Sequence, residues 1–182
     1  MARVRAGDDL AFRQLFERHS AAVVRYVNGF AGNLARAEEI TQEVFLRVHR
    51  ARARWEPRAR FTTWLYTIAQ NLSRNEVRRP ERRILVEAVR PGEDAEPVDF
   101  VDPAAVSGEE HARLGELQDR VRGLLSELPE AQRSALFLSR VEGLRYEEVG
   151  EVLGISEEAV KSLIFRATRR LRAGLKDWLG EP

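Results

Sequence analysis

Residues 144–176 read LRYEEVGEVLGISEEAVKSLIFRATRRLRAGLK, and this stretch decides the fold class. It predicts two helices broken at Gly154-Ile155-Ser156. Glycine tolerates the left-handed backbone that closes a helix, which suits Gly154 to end the first. Ser156 is placed to cap the second, with Glu157 and Glu158 in the first turn, where the helix dipole favours acids. Val160, Ile164, Ala167, Leu171 and Leu175 recur at helical spacing and predict one buried face. Between them stand Lys161, Arg166, Arg169, Arg170, Arg172 and Lys176, with no acid from 159 to 176. A tight turn followed by a capped, strongly basic helix is a helix-turn-helix pattern, and such a helix suits duplex DNA.

Working outward, the segment before this pair is also helical. Glu109 to Glu127 carries Leu114, Leu117, Val121, Leu124, Leu125 and Leu128 on one face, and Pro129 suits the start of the next helix, PEAQRSALFLSRVEG, which Gly143 ends. Trp178 extends the apolar face of the last helix. Upstream, VRPGEDAEPVDFVDPAAVSG at 89–108 holds three prolines, two glycines and five acids. A stretch that buries so little reads as a flexible acidic linker. The chain therefore divides into an N-terminal unit at 1–88, a linker at 89–108 and a C-terminal unit at 109–182, all-α throughout.

Three helices are expected in the N-terminal unit. The first starts at Asp8 or Asp9 and runs to about Phe30, with Phe12, Leu15, Phe16, His19, Val23, Tyr26, Val27 and Phe30 on its inward stripe. His19 has no His or carboxylate at ligand spacing and reads as a packed histidine. After Gly32-Asn33, a second helix spans about Ala35 to Arg54 with Ala37, Ile40, Val44, Val48 and Ala51 inward. Phe45 and Leu46 fall off that line beside Glu38, Glu39, Gln42 and Glu43. That arrangement fits either a partner-binding patch or a wide apolar stripe covered by neighbouring helices. The third helix, from Phe61 to near Pro80, turns Phe61, Trp64, Leu65, Ile68 and Leu72 to the core. Asn71, Arg74, Asn75, Arg78 and Arg79 crowd its far end, followed by Arg82 and Arg83. Arginines for phosphates, amides for base edges and aromatic faces for stacking are what single-stranded nucleic acid requires; Trp64 fits stacking or plain core.

Charge supports two meetings with a polyanion. The overall charge is +1, but residues 1–90 carry 18 Arg against 10 acids, a net +8. Residues 91–120 sum to −7, and 159–176 alone reaches +6. Two basic regions flank an acidic connector. The N-terminus lacks the apolar core of a signal peptide and no apolar run approaches membrane-spanning length, so the expected location is the cytoplasm. With 0 Cys there is no thiolate chemistry. The histidines His19, His49 and His111 are scattered, and no phosphate-binding glycine loop or HExxH-like cluster is present. Catalysis, a cofactor, a metal and a small-molecule substrate are therefore not expected.

QEVFLRVHRA at 42–51, FTTWLYTIAQNL at 61–72 and LSELPEAQRSALFLSRVEGLRYEEVGEVLGISEEAVKSLIFRATRRLR at 125–172 together resemble bacterial sigma factors of the small, two-domain extracytoplasmic-function class. The resemblance covers nearly the whole chain in order. It implies that the second helix docks on the clamp coiled coil of core RNA polymerase through Glu39, Gln42, Glu43, Phe45 and Leu46. It implies that Arg60, Asn71, Arg74, Asn75, Arg78 and Arg79 act at the minus-ten element, where a nontemplate base is flipped into a pocket. It further implies that the helix-turn-helix reads the minus-thirty-five element as duplex. The residues expected there are Arg145, Glu157, Glu158, Lys161, Ser162, Arg166, Arg169 and Arg170. The implied partners are core polymerase, promoter DNA and, as is common for such factors, an inhibitory anti-sigma protein. The acidic linker, with Glu93, Asp94, Glu96, Asp99 and Asp102, would then mimic a polyanion in the polymerase channels.

Two departures stand out. Leu163 and Phe165 occupy places where the class often has Arg and His, so base reading either shifts to Glu157, Glu158, Lys161 and Arg166, or the two apolar groups touch thymine methyls or sugars. Thr62 and Gln70 stand where basic residues are frequent. The rival reading is a stand-alone helix-turn-helix regulator with a sensing or dimerising N-terminal unit, which has no need of both the patch at 38–46 and a basic third helix.

Overall fold

In the computed structural model of the chain, residues 1–57, 60–77 and 108–176 are described, and every regular element among them is helical. A short α1 (Ala2–Arg5), absent from the sequence-based expectation, buries Val4. Helix α2 (Asp9–Ala31) starts where an acid can cap it: the Ala11 amide donates to Asp8 Oδ1 at 2.9 Å. That hydrogen bond, and then Arg3, hold the Asp8 carboxyl below the usual carboxylate range. Gly32 closes α2 at φ +61°, and Asn33 accepts from the Arg36 amide to open α3 (Leu34–Ala51). The helix expected to reach Arg54 ends as a 3-10 turn over Arg52–Arg54, with α4 (Phe61–Val77) beyond it.

Helices α2, α3 and α4 pack on one another. Val23, Tyr26, Val27, Phe30, Ala37, Ile40, Val44 and Val48 are buried, as the periodicity of α2 and α3 predicts. Burial of such side chains stabilises by roughly 1.5–3 kcal/mol each. The C-terminal unit comprises α5 (Gly108–Ser126), α6 (Glu130–Arg140), α7 (Tyr146–Leu153) and α8 (Glu157–Gly174). Helices α6, α7 and α8 form its centre, and α5 lies along α8. The α5 leucines are half-buried, because one neighbouring helix covers only part of their face.

The two units are not separate cores. Helix α4 packs directly on α7, and one continuous apolar cluster runs from Val23 and Tyr66 to Leu138, Val149 and Ile164. This changes the reading of α4. Of Phe61, Trp64, Leu65, Ile68 and Leu72, only Leu65 is fully buried, while Thr63, Tyr66, Ala69, Gln70 and Ser73 lie deep inside. The C-terminal unit covers the side of α4 that the sequence left open. The acidic linker through residue 107, together with Arg78, Arg79, Arg82, Arg83, His111 and Trp178, falls outside what the structure describes at side-chain level.

Candidate nucleic-acid and polymerase interfaces

The helix-turn-helix is built as its sequence predicts. Gly154 closes α7 at φ +69°, and the amides of Gly154 and Ile155 both donate to the Gly150 carbonyl. Ser156 accepts from the Ala159 amide at 3.2 Å and starts α8. Val160, Ile164 and Ala167 are buried, and Leu171 and Leu175 are half-buried at the frayed end. Two features were not foreseen. A Cβ at Gly150 would stand 2.8 Å from the Ile155 carbonyl oxygen, so the turn needs glycine there for close approach as well as at 154. Glu148 accepts from the Arg145 amide at 2.8 Å and so caps α7 from within.

The basic side of α8 is open. Glu157, Glu158, Lys161, Phe165, Arg166, Arg169 and Arg170 are exposed, and Ser162 is half-buried. Lys161 pairs with Glu157 at 2.7 Å, which raises its pKa above the usual lysine range. Arg166 donates to Ser162 Oγ at 2.7 Å. The two apolar departures separate here: Leu163 is half-buried against the core cluster, whereas Phe165 is 68% exposed. Leu163 is therefore a packing residue, and Phe165 is the apolar group left on the basic surface. Arg145 lies at the N-terminus of α7 with its guanidinium 3.4 Å from Glu148.

On α3 the expected polymerase patch divides. Phe45 is only 3% exposed and meets Phe16 edge-on with centroids 4.8 Å apart. Phe45, expected at the partner surface, is packed here in a wide apolar stripe that α2 covers. Leu46, the next residue, is 49% exposed. Glu39, Gln42 and Glu43 share that outer surface. Arg36 grips Glu76 of α4 with both forks, at 2.9 and 2.7 Å, and meets Glu39 at 2.5 Å. Glu43 pairs with Arg47 at 2.7 Å, which lowers its pKa. Glu39, Glu43 and Asn75 line one groove of about 300 Å³ between α3 and α4. The structure thus brings the polymerase set and part of the minus-ten set together.

Of the residues expected at the minus-ten element, Asn71 and Asn75 are exposed on α4. Arg60 and Arg74 turn to acids of the C-terminal unit: Arg60 Nε lies 3.6 Å from Glu148 Oε1, and Arg74 Nε lies 3.4 Å from Glu130 Oε1. Burial works to raise the Glu148 pKa, and the Arg145 amide, the Arg145 guanidinium and Arg60 outweigh it, leaving it low. Beside the second pair lies Gln70. The Tyr26 hydroxyl donates to its Oε1, Ser134 Oγ donates to the same oxygen at 3.2 Å, and its Nε2 donates to Glu130 at 3.0 Å. Sequence reasoning missed this hub. The only signal was an amide inside the apolar run FTTWLYTIAQNL.

His19 is half-buried against Phe61, consistent with a packed histidine, and no described group of His, Asp and Glu could hold a metal ion. No described helix is long and apolar enough to cross a membrane.

Two family models match the chain, Sigma-70 region 2 over residues 15–83 and Sigma-70, region 4 over residues 118–171. The chain is 35% identical to the RNA polymerase sigma factor CarQ of Myxococcus xanthus, over 94% of this chain and 93% of that protein. It is 34% identical to the ECF RNA polymerase sigma-E factor of Haemophilus influenzae, over 91% of this chain and 87% of the relative. Among solved structures it is similar to CnrH in complex with the cytosolic domain of CnrY, with a TM-score of 0.70, 26% identity and coverage of 97% of this chain and 94% of that one.

Proposed function

The chain belongs to the bacterial sigma-70 family and to its extracytoplasmic-function class, and on that premise we propose how its surfaces divide the work of transcription initiation. The protein binds core RNA polymerase and directs it to specific promoters, reading the minus-thirty-five element as duplex and opening the minus-ten element. Its partners are core polymerase, promoter DNA and an anti-sigma protein. It works in the cytoplasm and is not an enzyme. The observation that carries this reading is the coexistence of an open basic helix α8 with an acidic, Leu46-bearing face on α3. A stand-alone regulator accounts for the first and not the second.

In this division, residues 1–88 carry polymerase docking and minus-ten melting, 89–108 connect, and 109–182 read the minus-thirty-five element. Lys161, Ser162, Arg166, Arg169 and Arg170 meet phosphates and base edges, with Arg145, Glu157 and Glu158 beside them. Phe165 offers an apolar contact suited to a thymine methyl. Arg60, Asn71, Arg74, Asn75, Arg78 and Arg79 hold the unpaired minus-ten strand, whose bases are drawn from the stack at a cost of a few kcal/mol. Glu39, Gln42, Glu43 and Leu46 face the polymerase, and polymerase holds both readers on one DNA, so two weak contacts act at high effective concentration.

Purified core polymerase and a promoter library test the reading directly. The expected result is a stable complex, initiation from a small promoter set, and duplex affinity that falls steeply with salt as phosphate contacts require. Failure to bind core polymerase overturns it.

A further inference from the structure

We propose that α1 and the 3-10 turn over Arg52–Arg54 together form a phosphate-holding surface for unpaired DNA that continues beyond the minus-ten residues. The proposal rests on the placement of the minus-ten strand at Arg60 and α4 given above. The chain reads ARVR at 2–5 and RAR at 52–54, so Arg3, Arg5, Arg52 and Arg54 stand on two short elements. The two elements pack directly on each other. No acid lies within either, and those that flank them in the chain are Asp8, Asp9 and Glu56. Asp8 is taken by Arg3, at 2.7 Å. Among the described residues no carboxylate lies within ion-pair distance of Arg5 or Arg54, and both arginines are exposed. Like charges gathered without counterions repel one another, and a bound polyanion relieves that repulsion.

The surface is held on a fixed frame. Val4 is 1% exposed and pins α1 to the N-terminal unit. Gly7, at φ +90°, turns the chain towards α2, and the Gly7 and Asp8 amides donate to the Val4 and Arg3 carbonyls at 3.0 and 3.1 Å. Arg52 Nη1 donates to the His49 carbonyl at 2.7 Å, and the His49 ring meets Phe12 of α2 edge-on at 4.9 Å. Arg3 and Arg52 are thus tied down, which leaves Arg5 and Arg54 for a ligand. A strand reaches them from the minus-ten side. Phe61, which opens α4, meets His19. His19 lies seven residues beyond Phe12 on α2, so the start of α4 is about 10 Å further along that helix. About three nucleotides cover this distance at a stacked rise of ~3.4 Å. Trp55 follows Arg54 directly and is half-buried, so an aromatic ring accompanies the arginines, as in surfaces that hold single strands. Phosphate contacts of this kind position a strand and carry no sequence information.

The test uses the full chain and two double variants, Arg5→Ser with Arg54→Ser and Arg5→Lys with Arg54→Lys. The probes are labelled oligothymidine strands of about 6 and about 16 nucleotides and a random-sequence duplex, followed by anisotropy over a range of salt. Core-polymerase binding is measured on the same proteins. The serine variant should lose about tenfold or more in affinity for the longer strand at about 0.1 M salt. Its slope of log affinity against log salt should be shallower by about 1.4, for two phosphate contacts at ~0.7 each. Its gain from the shorter to the longer strand should shrink, and the lysine variant should keep most of the unaltered affinity. Duplex and core-polymerase binding should change less than about twofold. Equal affinity and slope in the serine variant and the unaltered chain overturn the proposal, as does an unaltered chain that binds neither strand. An equal loss on duplex overturns the assignment to unpaired DNA. Lost core-polymerase binding makes the patch a polymerase contact and also overturns it. If the unaltered chain fails to bind core polymerase while the strand effects appear as stated, the promoter-reading assignment falls and the strand surface stands. Circular dichroism identifies unfolding, in which case Arg54→Ser alone carries the comparison with a slope change of about 0.7. A folded lysine variant as weak as the serine one counts against the proposal.

Discussion

Gly150 and Phe165 show how much one side chain decides here. At Gly150, the missing Cβ lets the α7 backbone come against the Ile155 carbonyl, where a methyl would sit at 2.8 Å. Alanine favours a helix by about 1 kcal/mol over glycine, but a backbone oxygen cannot give way as a side chain can. Gly150→Ala should therefore destabilise the helix-turn-helix by about 1–3 kcal/mol, read as a lower unfolding temperature, with weaker duplex binding. A stabilised variant would refute that account. Phe165 and Leu163 differ in the opposite sense to their similarity in type. Leu163→Ala removes core contact and should cost about 1–2 kcal/mol of stability with promoter preference retained. Phe165→Ala should leave stability within about 0.5 kcal/mol and shift base preference in a promoter library. An unchanged profile would mean that Phe165 does not face the bases.

At the scale of the element, α3 turns adjacent residues to opposite environments. Its inward stripe is wide because α2 and α4 both rest on it, and this draws Phe45 inside while Leu46 stays out. Phe45→Ala should cost about 3–5 kcal/mol as a buried aromatic lost from a packed site. Leu46→Glu should leave the unfolding midpoint almost unchanged and weaken core-polymerase binding at least tenfold, as measured by competition with a reference sigma factor. Equal binding by both proteins would remove Leu46 from the interface. The caps behave similarly as elements: Asp8, Asn33 and Ser156 each take a backbone amide at the start of α2, α3 and α8, and all three were legible as helix-start residues or turn breakers. Glu148 was not, because its capping role depends on a chain entry direction that spacing does not convey.

For the whole molecule, the boundary between the two units is held by polar and aromatic contacts together. It combines Tyr26 against Phe137 at 5.4 Å and Arg133 over Phe30 at 5.0 Å with the hydrogen bonds of Gln70 to Ser134 and Glu130. His19 reports on it. Burial, and then Arg18, depress its basicity, with Glu142 from beyond α6 acting the other way. A histidine whose folded pKa lies below its unfolded value contributes stability that is complete above about pH 6.5 and declines as pH falls through that value towards the folded one. Stability should therefore drop as pH falls below about 6.5, and His19→Gln should flatten that part of the profile in denaturant titrations. An identical slope in both proteins would assign the loss to other groups.

Sequence alone determined the longer helices, the caps at Asp8, Asn33 and Ser156, the helix-turn-helix and the residues that make α8 basic. Each of these follows from local rules: periodicity of three and four, an oxygen-bearing side chain before a helix, a glycine after it. The family resemblance rested on the same local motifs. The tertiary structure alone decided which side of α4 is covered, that Gln70 joins the two units, that Phe45 and Leu46 part company, and that Leu163 packs while Phe165 does not. Those outcomes depend on contacts between residues far apart in the chain, 29 positions for Phe16 and Phe45 and 64 for Gln70 and Ser134. Nothing in the spacing within one helix encodes which distant surface will press against it.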